Sequence, residues 1–254
     1  MDVVLTFLIV CPLVALAGFV DAIAGGGGLI SLPAFLMAGI PPHTAMATNK
    51  LSSSMGTALA TARLGMQGYL KPRLFVVPVV AGLVGSAAGA SLNLLVDDGA
   101  LRAIMLVVIP LTAAYLLRPH AMVEREERLP YARTLALSTL LALGIGAYDG
   151  FYGPGTGTFL LLLLTSVAQM TLNDAAGTTK AINLTTNLSA LVVFLANGQV
   201  WIALGLVAGV CNMAGAWVGV NLFSSKGVRV VKPLMLCVLA IFFVKTLLEV
   251  LGVV

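Results

Sequence analysis

Phe19-Val20-Asp21-Ala22-Ile23-Ala24-Gly25-Gly26-Gly27-Gly28 and Ala147-Tyr148-Asp149-Gly150-Phe151-Tyr152-Gly153-Pro154-Gly155-Thr156-Gly157 are two stretches that interrupt otherwise long apolar runs. Each sets an aspartate shortly before backbone that a helix does not tolerate, four glycines in one case and Gly-Pro-Gly in the other. Each leads into an apolar segment, 28–39 or 157–170, that is too short to cross a hydrocarbon core about 30 Å thick at about 1.5 Å per residue. Irregular backbone at membrane depth survives only when buried in protein or lining a cavity. We therefore read 3–39 and 132–170 as re-entrant hairpins, each made of a helix, a glycine tip and a returning half-helix.

The sequence around these hairpins belongs in a bilayer. Of 254 residues, 59% are hydrophobic and 9% charged, and the mean hydropathy is +1.05; a soluble domain carries roughly 25% charge. That excludes a water-soluble globule. Further apolar segments lie at 43–65, 72–95, 100–118, 174–196, 200–223 and 230–251. At about 20 residues per crossing, the length holds about eight to ten membrane segments and no sizeable soluble domain. The first segment has no basic stretch before it, so it is expected to stay in the mature protein. A pI of 9.1 comes without a basic cluster interleaved with aromatics, so nucleic acid is not an expected partner. Cys11, Cys211 and Cys237 sit singly in apolar runs and read as small core residues, with no disulfide, metal site or cofactor expected.

The two halves of the chain repeat. Phe19 to Gly25 overlies Ala147 to Gly153 at an offset of 128. After two inserted residues the offset is 130, matching Thr48-Asn49-Lys50 with Thr178-Thr179-Lys180, Gln67-Gly68 with Asn197-Gly198, and Gly85 and Gly89 with Gly215 and Gly219. The organisation expected is a first membrane repeat over 1–118, a cytoplasmic linker over 119–131 and a second repeat over 132–254. The loops 66–73, 118–133 and 224–232 hold most of the cations, whereas the opposite loops show Asp97, Asp98 and few cations beyond Arg102. By the positive-inside rule the basic side is cytoplasmic. The loop at 66–73 is then inside and its counterpart at 196–200 outside. The repeats are thus expected to be inverted, each a broken-helix hairpin plus three transmembrane helices, with both termini outside.

Charged side chains at bilayer depth cost on the order of 2.5–3.5 kcal/mol each on insertion scales and tend to face the bundle interior. Four recur at matched positions: Asp21 with Asp149, and Lys50 with Lys180. Asn49, Lys50, Ser53 and Thr57 correspond to Thr179, Lys180, Asn183 and Asn187, each set a polar stripe on one helical face. The competing reading of the hydroxyls and amides is helix glue at about 0.6 kcal/mol each. For Asp21 and Asp149 a structural ion pair with Lys50 or Lys180 competes with substrate or proton handling. The half-helix N-termini after Gly26 and Gly27, and after Gly155 and Thr156, aim free N–H groups and positive dipole ends at the midplane, as broken helices of many secondary transporters do. Gly85-x-x-x-Gly89, Gly205-x-x-x-Gly209 and Gly215-x-x-x-Gly219 read as close helix crossings, with dimerisation an alternative use. His43 and His120 read as neither ligand nor base, and no Ser/His, Cys/His or His/Glu constellation marks an enzyme.

Gly18 to Ile30, Pro33 and Ala45-Met46-Ala47-Thr48-Asn49-Lys50, with Gly150 to Gly157 and Ala175-Ala176-Gly177-Thr178-Thr179-Lys180 in the second half, resemble the sulfite exporter TauE/SafE family, also called the 4-toluene sulfonate uptake permease family. The likeness covers nearly the whole chain. It implies a multi-pass bacterial inner-membrane transporter of sulfite, thiosulfate or organosulfonates. On this reading Lys50, Lys180, Asn49, Ser53, Thr179, Asn183, Asn187 and the tip residues Gly26, Gly27, Gly155 and Thr156 hold a small sulfur-containing anion, with Asp21 and Asp149 coupling protons or pairing with the lysines. Two other readings stay open: a non-transporting scaffold or accessory subunit, and a cation carrier using the two aspartates.

Overall fold

A computed structural model describes residues 2–117 and 129–221. Among these the elements are all helical: α1 Val3–Ala24, α2 Gly28–Met37, α3 Pro42–Met66, α4 Pro72–Asn93, α5 Asp98–Leu117, α6 Tyr131–Phe151, α7 Thr156–Ser166, α8 Leu172–Ala196 and α9 Ile202–Asn221. They match the apolar segments expected from sequence within a few residues. The expected segment 230–251, and with it Cys237, lies outside the described residues, as does most of the linker expected at 119–131. Five of these helices, α1, α4, α6, α8 and α9, are long and apolar enough to cross a membrane. α3 is as long as α8 but carries Thr48, Asn49, Lys50 and three serines in its first half, and that polarity keeps it out of the set.

The molecule is apolar outside, and its interior combines apolar clusters with buried polar residues. Val80, Leu140, Val192 and Val210 are 59–66% exposed, while Thr48, Ser52, Ser86, Asn93, Ser138 and Thr186 are fully buried. A surface of that kind suits lipid, where apolar burial drives little association and helices are held by close packing and polar contacts. The glycine motifs supply the packing. Gly85 and Gly89 of α4 rest against the backbone of Leu143, Ala147 and Phe151 in α6, and Gly215 and Gly219 of α9 rest against Ala15, Phe19 and Ala22 in α1. A Cβ at any of the four would collide with backbone. Gly205 and Gly209 of α9 receive the side chains of Leu51 and Met55 from α3. All three motifs are therefore occupied by crossings within the chain.

The packing partners exchange between the halves. α1 lies on α9 as α6 lies on α4, and α3 lies on α9 as α8 lies on α4. The α4–α6 and α9–α1 contacts reproduce the two sequence offsets, 128 for α1 against α6 and 130 for α4 against α9. α3 and α8 meet each other: Lys50 reaches Asn187 and Thr61 reaches the backbone oxygen of Lys180. Higher numbers on one helix thus meet lower numbers on the other, so these equivalent helices run antiparallel.

Loops gather at two ends. At one, His43 bridges Asp98 and the backbone oxygen of Asn93, and Trp201 N donates to Thr48 Oγ1 at 3.0 Å. At the other, Lys71 pairs with Asp174 at 2.6 Å and Tyr131 donates to the backbone oxygen of Arg73 at 2.8 Å. His43 is thus a strap between helix ends, remote from the glycine tips. α2 and α7 are the short elements, and each folds back on the helix before it. Gly25 takes φ 75° to turn α1 away, and Gly153 and Gly155, at φ 96° and 86°, do the same after α6. These left-handed positions are where glycine is needed.

Candidate functional site

The two tips touch. Gly25 packs on Gly157 and Gly28 on Pro154, so α2 and α7 begin next to one another in the middle of the bundle. Neither N-terminus has a side-chain cap. The N–H groups of Gly27, Gly28, Gly155 and Gly157 find no acceptor among the described residues. The first N–H groups of a helix lack intrahelical partners and carry a partial positive charge.

A cavity opens at these tips, lined by glycines 25, 27 and 28 and glycines 153, 155 and 157 together with Thr156. The rest of its wall comes from α3 (Asn49, Lys50, Ser53, Thr57), α8 (Asn183, Asn187), the aspartates 21 and 149, Ala17, and Asn212 of α9. Its water-accessible interior is about 30 Å³, against roughly 10–15 Å³ for one water. That is room for a few water-sized groups, and too little for a sugar or nucleotide.

Both lysines are paired with the aspartate of the opposite half. Lys50 Nζ lies 2.8 Å from Asp149 Oδ2 and donates to Asn187 Oδ1 at 3.0 Å. Thr156 Oγ1 donates to Asp149 Oδ1 at 2.8 Å. Lys180 Nζ donates to both Asp21 Oδ2 and the Asp21 backbone oxygen at 2.7 Å. Buried ions need such partners, because desolvating an isolated charge costs several kcal/mol.

The amides have spare donors. Ser53 donates to Asn49 Oδ1 at 3.3 Å, and Asn187 Nδ2 donates to Asn183 Oδ1 at 3.4 Å. The Nδ2 groups of Asn49 and Asn183 have no acceptor among the described residues. The cavity is therefore rich in unmatched N–H donors, while the carboxylates that would attract cations already hold lysines.

Of the residues singled out from sequence, Asn49, Lys50, Ser53, Asn183, Asn187, Gly27, Gly155, Thr156, Asp21 and Asp149 face this one space. Gly26, Thr179 and Lys180 do not line it. Lys180 stands behind Asp21, and Thr179 has a buried hydroxyl without a partner among the described residues. Asn212 was not picked out from sequence. Its signal was available: it is the only amide within the apolar α9 apart from the terminal Asn221, where it is 5% exposed.

With this geometry in view, comparison with known proteins defines the class. The family model described as "Sulfite exporter TauE/SafE" matches residues 10–246. A "Probable membrane transporter protein ORF9" of Sinorhizobium sp is 37% identical over 237 residues, 92% of this chain and 88% of that protein. A "Probable membrane transporter protein YfcA" of Escherichia coli strain K12 is 36% identical over 236 residues, 92% of this chain and 87% of that one. A "Probable membrane transporter protein" of Haemophilus influenzae is 33% identical, covering 86% and 85%. No solved structure matches the chain. The protein is a membrane protein of a transporter family; it belongs to the sulfite exporter TauE/SafE family.

Proposed function

We propose that this chain is a secondary carrier of a small sulfur-containing anion, a sulfite, thiosulfate or organosulfonate, bound where the tips of α2 and α7 meet. The observation that carries this reading is the donor-rich, acceptor-poor cavity: uncapped helix N-termini, two unmatched amide Nδ2 groups and Lys50 converge on a space of small-ion size. Preorganised N–H groups of this kind are how proteins hold oxyanions. The family's description supports the sulfur-containing class.

The four buried charges sum to zero, two lysines against two aspartates. An anion entering alone leaves the site net negative, so a proton on Asp21 or Asp149 is the natural companion, and this supports coupling to protons. A cation carrier using the aspartates is disfavoured because each already holds a lysine. A scaffold without transport gives no use for a polar cavity built from broken helices.

The membrane arrangement we infer is a pair of inverted repeats. The antiparallel run of α3 against α8 supports it, because equivalent helices that cross a membrane in opposite senses are related by an axis in its plane. One end carries Lys71, Arg73 and Arg133 and the other Asp97 and Asp98, which favours the first as cytoplasmic and both termini as external in a bacterial inner membrane.

Proteoliposomes holding the purified chain, given radiolabelled sulfite, thiosulfate or methanesulfonate with and without an imposed pH gradient, test the carrier. Uptake above empty vesicles, enlarged by the gradient and lost in the paired Asp21→Asn, Lys180→Met variant, is the expected result. Uptake equal to that of empty vesicles for all three anions overturns the reading. Reporter fusions that place either terminus in the cytoplasm overturn the arrangement.

A further inference from the structure

The cavity's polar side chains occupy duplicated positions of the two halves, with two exceptions, Thr156 of the second tip, which answers to glycine in the first, and Asn212. Asn49 answers to Thr179, Lys50 to Lys180, Ser53 to Asn183, Thr57 to Asn187 and Asp21 to Asp149, whereas Asn212 of α9 answers to Gly82 of α4. The surroundings of this position are exchanged as well. Asn212 fits against Gly56 of α3, while at the matching place Thr186 of α8 packs its methyl group against Gly82. In one half the larger residue is on α9, in the other it is on α8.

Three properties of Asn212 point to a ligand. Its side chain lines the cavity and it is 5% exposed. Among the described residues its amide has no hydrogen-bond partner. Its place is also fixed: a Cβ at Gly56 would run into Oδ1, and one at Gly18 into the Asn212 backbone and Oδ1, so two glycines form a slot that only this amide fills. The amide opens onto the cavity, whereas membrane helices use asparagine chiefly to reach a partner on another helix. Here the slot holds the amide and no described helix supplies the partner. Neither Oδ1 nor the NH2 has a hydrogen-bond partner among the described residues, but Oδ1 is crowded by Gly56 and Gly18, so the NH2 is the group with room for a ligand.

Resting on the carrier reading above, we propose that Asn212 is an oxyanion-orienting residue of the cavity: its amide NH2 donates to one oxygen of the bound anion, and it makes the two halves of the site present different donors to the same ligand. The chemical class selected is a small anion with several acceptor oxygens, in preference to a spherical halide. A halide can be held by charge and helix N-termini, whereas a directional amide rewards an oxygen at a fixed place.

The test is binding by the purified full-length chain, measured by calorimetry with sulfite, methanesulfonate and chloride, alongside thermal unfolding without ligand. For Asn212→Ala the expected result is at least a tenfold weaker affinity for sulfite and methanesulfonate, chloride changed less than threefold, and an unfolding temperature equal to or above the parent's. Asn212→Asp, which places an acceptor where the donor was, should remove detectable oxyanion binding. If Asn212→Ala instead lowers the unfolding temperature while oxyanion affinities stay within threefold, Asn212 is helix glue and the proposal fails. If the parent chain binds neither oxyanion, the carrier reading fails first. Equal losses for chloride and the oxyanions overturn the orienting role while leaving the site in place.

Discussion

Lys50 meets Asp149 with side chains 3% and 2% exposed, and each ion has a further polar partner, Asn187 for the lysine and Thr156 for the aspartate. Lys180 meets Asp21 with side chains 7% and 18% exposed, and its second bond goes to the backbone of the same aspartate. Duplicated positions have thus become one deeply buried, sealed pair and one whose aspartate is partly exposed. The deeply buried pair resists separation, because an ion left there without its partner is costly.

The two pairs should differ most visibly when one carboxylate is removed from each. Asp149→Ala strands Lys50 in the interior and should cost about 3–5 kcal/mol, seen as loss of monodisperse protein or a large fall in unfolding temperature. Asp21→Ala should cost clearly less, since Lys180 keeps the Asp21 backbone oxygen and lies nearer water. Lys50→Met combined with Asp149→Leu should recover stability lost in the single variants without recovering transport. Equal losses for Asp149→Ala and Asp21→Ala would erase the distinction between the pairs.

A second pair of changes probes where the halves are alike. Gly89→Val would drive side chain into the backbone of α6 at Ala147, and Gly219→Val would do so into α1 at Phe19. Overpacking of this kind costs about 1–3 kcal/mol, and the two falls in thermal stability should agree within experimental scatter. A marked inequality would show that the α1–α9 and α4–α6 crossings do not carry equal shares of the fold.

Much of this was legible in the residues, for definite reasons. Helix positions followed from apolar runs ended by Gly-Gly-Gly-Gly and Gly-Pro-Gly, and the matched crossings followed from glycines recurring at a constant offset. The polar stripe of α3 and α8 was readable because period-3.6 spacing puts Asn49, Lys50, Ser53 and Thr57 on one face. Which aspartate takes which lysine was not readable, since spacing along one chain says nothing about the crossing of one half to the other. Asn212 is invisible to the repeat, because its counterpart Gly82 carries no side chain. Lys180 looked equal to Lys50 from the repeat, yet it sits outside the cavity behind Asp21.

A smaller change touches only the sealed pair. Thr156→Val removes the hydroxyl that faces Asp149 Oδ1 at 2.8 Å and the Gly153 oxygen at 2.6 Å, at a cost of about 1.5–3 kcal/mol for a bond to a charged acceptor. The first tip offers only glycines at the corresponding place, so no equivalent bond exists on Asp21. Thr156→Ser should retain most of the stability and transport. If Thr156→Val is as stable as the parent, the Asp149 environment owes nothing to this hydroxyl.

The smallest effect concerns the turns that follow the two half-helices. Gly39 and Gln169 stand at matching positions, and both take the left-handed conformation, at φ 73° and φ 53°. For a residue with a Cβ that conformation costs about 1–2 kcal/mol, whereas glycine adopts it freely. Nothing lies within 4 Å of a Cβ built on Gly39, so Gly39→Ala should lose about 1 kcal/mol from backbone strain alone. Gln169→Gly moves the second turn toward the state of the first, relieving strain but forgoing the contact of the glutamine side chain and adding freedom to the unfolded chain. A change between zero and a gain of about 1 kcal/mol is expected, read as a small rise in unfolding temperature. Opposite signs at the two positions would show that the same turn is met once by glycine and once by strain. A loss of stability in both variants would mean that the Gln169 side chain outweighs its backbone.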